Sequence, residues 1–344
     1  MGTTFIEVPA RKKAIQPSNW KKKELADAHV GPLHFCQFGC TYCSSNAGLG
    51  LRFTKRTTNA AVRNATGRGF DYDATEITLA YANYVELLDA ELSACKRKPG
   101  RGQTIVYSQL TDGFSPVIVR DGTARKVLDL LIEKSEYRIR VLTKNSVVGK
   151  PRWVNYFAKH ADRFVVGLST GTLDNRSGSQ VERLTSRPES RIAALHKLQD
   201  AGVPTFGMLC PVFPEMLTEN RLEELVDAIR PRFCEKIWWE PYNERHGWET
   251  VRSCFDEGSW SWNWMTDVFE NGNKRRWSEY ATELYRRVWR KGVRDGFADK
   301  LRYLLYQGDI EPDHAECFRG LNGVLLQSFD KKGGIVNPAF RDLA

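Results

Sequence analysis

From about residue 103 onward, short apolar runs alternate with longer amphipathic segments, the pattern of strand and helix units built around a parallel sheet. Thr104 to Ser108 reads as a strand, and the segment after it places Val127, Leu130 and Leu131 on one helical face. Tyr137 to Leu142 alternates strictly and predicts another strand, followed by a helix around Trp153, Tyr156 and Phe157. Phe164 to Leu168 predicts the next, and its helix carries Ile192, Leu195 and Leu198 and stops at Gly202, with Pro204 beyond. Val203 to Val212 and Cys234 to Trp239 supply two more strands. Between them Thr218 caps a helix that buries Leu222, Leu225, Val226 and Ile229 before Pro231. A strand near His29 to Phe35 brings the count to six units of an α/β fold. In βα barrels the functional residues gather on loops at the strand C-terminal ends, so those ends are where chemistry is sought.

Directly after the first of these strands, Cys36, Cys40 and Cys43 form a C-x3-C-x2-C loop. Three thiolates on one loop suit an iron–sulfur cluster with one iron left free, because a four-iron cluster otherwise takes four cysteines. A structural zinc site is the alternative; it needs four closed ligands, His34 is the only local fourth candidate, and no second ligand arm follows. Unliganded thiols are the remaining reading. A disulfide needs an oxidising compartment, and the stretch Met1 to Lys13 has no apolar secretory core.

The cysteine loop, with the aromatic Tyr42 directly before Cys43, resembles the cluster-binding signature of the radical S-adenosylmethionine (radical SAM) superfamily. The resemblance implies a partial (β/α)6 barrel, a [4Fe-4S] cluster on Cys36, Cys40 and Cys43, and S-adenosylmethionine chelated at the free iron. It further implies reductive cleavage to a 5′-deoxyadenosyl radical that abstracts hydrogen from a substrate, with electrons from a protein such as a flavodoxin or ferredoxin. Several stretches resemble the spore photoproduct lyase-like branch: Thr111-Asp112, Leu142 to Lys144, Ser169, Ala201 to Pro204, Cys210 to Pro214, and Glu240 to Arg245. By that likeness Lys144 and Ser169 would bind S-adenosylmethionine, with Asp112 and Asn243 as further cofactor contacts, and Tyr42 would relay a hydrogen atom. Tyr107 to Asp112 departs from the branch in holding no thiol where its lyases carry a hydrogen-donating cysteine.

Composition changes this picture only at the level of substrate and compartment. The 344 residues are 41% hydrophobic, enough for a sizeable core, and with a mean hydropathy of -0.47 no run approaches a membrane span. A soluble, cytoplasmic protein is expected, and the five cysteines outside the loop read as reduced core thiols. The formal charge of +9 is concentrated in Arg11 to Lys13, Lys21 to Lys23, Lys96 to Lys98 and Lys274 to Arg276. Such runs suit a polyanion, and they equally suit a solvated surface.

Eight of the ten tryptophans follow residue 235, and Trp260, Trp262 and Trp264 alternate. In an extended segment all three indoles would share one side, either as a stacking platform for bases or as a lid on the barrel mouth. Lys274 to Arg294 reads as one helix with Arg286, Arg290 and Arg294 as a basic stripe and Tyr280, Leu284 and Val288 on another face. The expected organisation is a basic N-terminal arm over 1–28, the barrel over 29–245, and a Trp-rich, mainly helical extension over 246–344 that closes the substrate side. A nucleic acid or nucleotide is the leading substrate class, through a lyase, repair or modification reaction. The alternatives are a radical SAM enzyme of peptides or small molecules, and a non-enzymatic metal-knot protein that binds nucleic acid.

Overall fold

The structure is a computed structural model that describes residues 4–9, 11–47, 55–67, 69, 71–243, 247–306, 310–315, 318, 324–329 and 335–336. Its strands are β1 (Thr4–Val8), β2 (Gln16–Pro17), β3 (Ala28–Val30), β4 (Leu33–Phe35), β5 (Ile77–Tyr81), β6 (Thr104–Tyr107) and β7 (Arg138–Thr143). They continue with β8 (Phe164–Leu168), β9 (Thr205–Val212), β10 (Cys234–Pro241), β11 (Leu301–Tyr306), β12 (Val324–Phe329) and β13 (Ile335–Val336). The main sheet runs β13-β12-β11-β10-β9-β8-β7-β6-β3-β2. All neighbours from β3 to β12 are parallel, and β2 and β13 are antiparallel edges. Each new parallel strand adds on the same side of the one before, so the crossover helices lie on one face, as right-handed connections require.

The six expected strands are all present, and two features extend them. The stretch His29 to Phe35 is two strands, not one: β3 joins the main sheet, while β4 pairs with β5 in a small sheet ordered β1-β5-β4. The main sheet also continues past β10 into β11 and β12, so the C-terminal region is helical with two further parallel strands. Its Leu301-Arg-Tyr-Leu-Leu-Tyr306 run carries no helical periodicity and completes the core beside Trp239.

Alternation along the strands divides the interior in two. Outward-facing Ile139, Val141, Val166, Leu209 and Trp239 pack under the helices in the large core. Inward-facing Val165, Phe206, Met208, Trp238 and Leu304 form a second cluster, joined by Trp20 and Leu25 from the N-terminal segment. The Arg140 guanidinium lies 5.1 Å from the Phe206 ring and 4.8 Å from that of Trp238. Gly167 is required here: a Cβ on it would come within 2.6 Å of the Phe206 ring. Part of the N-terminal segment therefore packs against the sheet, because burying Leu25 and part of Trp20 outweighs leaving the lysine run free in water. Lys23 is itself buried, and its carbonyl accepts from the Trp238 indole at 2.8 Å.

The long helix, Lys274–Asp295, buries Tyr280, Leu284, Tyr285 and Val288 against the outer face of the sheet. Trp277 donates to the Tyr242 carbonyl at 2.9 Å, and Tyr280 donates to the Val212 carbonyl, which pins the helix to the ends of β9 and β10. The tryptophan triplet corrects the extended expectation: Trp260–Met265 is a helix, with Ser259 accepting from the Trp262 N–H at its start. Trp264 is therefore buried against Tyr280 and Phe269 while Trp260 is 47% exposed, so the three indoles do not share a side. Arg286, Arg290 and Arg294 do form an exposed stripe, in which Arg294 is paired with Asp295.

Candidate active site

The cysteine loop begins where β4 ends, held over the C-terminal edge of the parallel strands. Cys36 and Cys40 are buried and Cys43 is half-buried, and none is in a disulfide. Burial raises all three thiols, Cys36 to about 12 with help from the charges of Cys43 and Asp112. Opposing this, backbone N–H groups of Asp112 and Phe38 point at Cys36, and those of Asn46 and Ser45 at Cys43. Hydrogen bonds to sulfur of this kind tune iron–sulfur clusters. Among the described residues no three His, Cys, Asp or Glu groups gather as ligands of one metal ion. Three thiols on one loop, with backbone N–H groups aimed at Cys36 and Cys43, are the donor chemistry that an iron–sulfur cluster takes. The donor set fits a cluster.

Lys144 follows β7 and Ser169 follows β8, at adjacent strand ends. The Lys144 ammonium donates to Ser169 Oγ at 2.6 Å, and Ser169 Oγ donates to the Cys210 carbonyl at 2.9 Å. That approach depends on Gly171, where a Cβ would sit 1.8 Å from the Pro211 carbonyl oxygen. The sequence reading missed the residue that organises this corner. Glu182 is 5% exposed and receives the Tyr42 hydroxyl, Lys144 Nζ at 3.2 Å and Arg191 at 2.5 Å. Burial pushes its carboxyl up, but the charges of Lys144 and Arg191 and the donated hydrogen bonds hold it at about 2. Burial, and then the Glu182 charge, push the Tyr42 phenol well above its ordinary value. Glu182 also forms a backbone bridge with Cys40. Nothing local marks it in the sequence, since its partners lie up to 140 residues away.

Asp112 is engaged by its neighbours at the strand ends. Its carboxylate accepts from Thr143 Oγ1 at 2.7 Å, from the Lys144 N–H at 2.7 Å and from the Phe114 N–H at 2.8 Å. It ties the β6 and β7 loops together and so aims Lys144. Asn243 follows β10; its amide donates to the Pro241 carbonyl at 3.1 Å, while its Oδ1 is buried without a partner among the described residues. A buried orphan acceptor is costly and suits a ligand donor. Thr170 Oγ1, beside Ser169, is orphaned in the same way. Arg245 and Cys317 lie outside the described residues.

Of the other cysteines, Cys234 is buried as expected, but Cys95 is exposed. Cys210 is no plain core thiol either: its Sγ donates to Glu240 at 3.3 Å beside the Lys144 corner. Among the described residues no helix is long and apolar enough to cross a membrane.

Residues 30–229, more than half of the chain, match the family model of the Radical SAM superfamily. An uncharacterised protein of Acidianus two-tailed virus is 22% identical over 256 residues, which cover 70% of this chain and 78% of the viral one. An uncharacterised protein of Methanocaldococcus jannaschii is 22% identical over 228 residues, 66% of this chain and 73% of that one. Two mutants of spore photoproduct lyase superpose with TM-scores of 0.51 and 0.50, each at 15% identity over 74% of this chain and 67% of the lyase. The cysteine loop, the singly wound parallel sheet and this match agree: the chain belongs to the radical SAM superfamily and is a radical SAM enzyme on the fold of spore photoproduct lyase.

Proposed function

We propose that this enzyme abstracts hydrogen from a nucleic acid or nucleotide, in a lyase, repair or modification reaction. The observation that carries the reading is the shared corner of Tyr42, Lys144, Ser169 and Glu182 set against the cysteine loop. Cys36, Cys40 and Cys43 would hold the [4Fe-4S] cluster, which with S-adenosylmethionine supplies a 5′-deoxyadenosyl radical when both are bound. Lys144 carries the positive charge a carboxylate ligand needs, and Ser169 offers a hydroxyl beside it. Asn243 Oδ1 provides an acceptor for an amino group. Asp112 positions Lys144 through its backbone N–H. Tyr42, its hydroxyl directed to Glu182 and its ring 5.8 Å from Phe213, is the candidate hydrogen relay.

The nucleic-acid part of the reading is supported by the net charge of +9 and by the exposed arginine stripe on the long helix. Its free thiols suit a reducing cytoplasm with a flavodoxin or ferredoxin as electron donor. The test is anaerobic reconstitution and reduction with S-adenosylmethionine, followed by a screen of deuterated oligonucleotides, nucleotides and peptides. Label carried into 5′-deoxyadenosine from a nucleotide substrate is the expected result. Transfer from peptides alone would replace the substrate class, and no cleavage of S-adenosylmethionine by cluster-loaded protein would overturn the reading.

A further inference from the structure

Between the ends of β3 and β6 and the small sheet lies a cavity of about 100 Å³, lined by Arg11, His29, His34, Ser108, Gln109 and Thr111 among others. None of its lining residues is an aspartate or glutamate. Arg11 lies 4.6 Å from the centre of the Tyr81 ring and forms no ion pair among the described residues. Ser108 is 4% exposed, its backbone is held at a φ of 63°, and its hydroxyl has no partner among the described residues. His34 is fixed between the Tyr81 hydroxyl at 2.9 Å and Thr58 Oγ1 at 2.8 Å. Burial, and then the Arg11 charge, hold His29 at about 4, so its ring is neutral near pH 7. The cavity thus presents one cation, neutral donors from three separate segments, and no lining carboxylate.

We propose that this cavity is a phosphate-binding site, with Arg11 as the charge partner and Ser108 as a hydroxyl donor. A partly buried guanidinium with no carboxylate calls for an anion, and an orphaned hydroxyl calls for an acceptor. Donors arriving from the N-terminal segment, β3 and the β6 loop surround a tetrahedral oxyanion better than a planar carboxylate. A cavity of this size has room for a phosphate group. His34 precedes Cys36 by two residues, Ser45, also in the lining, follows Cys43 by two, and Thr111 adjoins Asp112. A phosphate held here places the attached sugar beside the cysteine loop. The inference rests on the nucleotide reading above and gives it an anchor; the source is either a nucleotide monoester or a strand phosphodiester.

The test is calorimetric titration of anaerobic, cluster-loaded protein with inorganic phosphate, a nucleoside, its 5′-monophosphate and a dinucleotide. Phosphate and the phosphorylated ligands should bind, and Arg11→Gln should weaken them about ten-fold or more, as expected for a lost charged hydrogen bond. Arg11→Lys should restore part of the loss, and Ser108→Ala should weaken binding several-fold with unchanged thermal melting. Tighter binding of the monophosphate or of the dinucleotide identifies the source. Phosphate affinity that is absent, or unchanged in both Arg11→Gln and Ser108→Ala, overturns the site. Salt-dependent oligonucleotide binding that ignores both substitutions sinks the site while leaving the nucleic-acid reading standing. Arg11-dependent phosphate binding with no added affinity for nucleotides does the reverse.

Discussion

At the ends of β7 and β8, a phenol, an ammonium and a guanidinium converge on the single carboxylate of Glu182, with Glu182 and Arg191 buried and Tyr42 and Lys144 half-buried. After residue 246 the chain is far richer in conspicuous residues, yet most are occupied with one another: Trp264 with Phe269 and Tyr280, Trp248 with Phe269, and Trp289 with Tyr285. Its charges behave alike, with Arg276 on Asp267, Arg287 on Glu223 and Lys291 between Asp227 and Asp295. Abundance marks the packing region and scarcity marks the chemical one. A solitary charge at a strand end must be matched by a partner drawn from elsewhere in the fold, whereas aromatic excess is absorbed by burial.

The sharpest way to break this contrast is to remove one ligand. Cys40→Ala should abolish cluster binding and 5′-deoxyadenosine formation while thermal melting shows a folded protein. Next comes Glu182→Gln, which leaves the buried Arg191 and the half-buried Lys144 without their counter-charge; a loss of about 3–5 kcal/mol in denaturant titration is expected. Because the Glu182 carboxyl lies at about 2 against its ordinary 4.5, its stabilisation is complete above about 4.5. It fades as the pH falls toward 2, so the variant should show a shallower acid limb. Conversely, little change in stability would mean that the corner is no more integrated than a surface pair.

Within the aromatic region, Trp264→Ala should cost about 3–5 kcal/mol through a cavity. Glu215 offers a smaller and oppositely signed effect. It sits beneath the tryptophan helix with Ser261 Oγ 3.3 Å away, and burial raises its carboxyl from 4.5 to about 7. A raised carboxyl is harmless below 4.5 and costs stability as the pH climbs through 7. Glu215→Gln should therefore stabilise the protein by about 1–3 kcal/mol at pH 8 and leave it unchanged at pH 4. The smallest effect is expected at exposed Trp260, where replacement by alanine should shift stability by about 0.5 kcal/mol or less. A large loss of substrate affinity there, with stability intact, would recast that indole as a recognition surface.

Much of this was legible in the chain. Strict alternation revealed β7, apolar runs revealed β8 and β9, and their ends led to Lys144 and Ser169 without any partner being known. The cysteine loop was readable because cluster ligation is set by local spacing. Glu182 was not, because its meaning comes from contacts made across β7 and β8 and back to the cysteine loop. Ile77 to Tyr81 hid for another reason: its partners are β1 and β4, outside the repeating βα pattern. The tryptophan triplet misled because a period of two suggests a strand, while three indoles in six residues can also be split across a helix, one face buried and the other wet.

The backbone bridge between Cys40 and Glu182 joins the cysteine loop to the end of the short helix Asn175–Val181. Through that stitch the loop and the Lys144 corner form one mechanical piece. Any opening that admits a substrate must move them together or leave both still, so the spacing between thiolates and ammonium stays constant while the surrounding walls adjust. Geometry that must be kept for a radical is thereby separated from geometry that must yield to a guest.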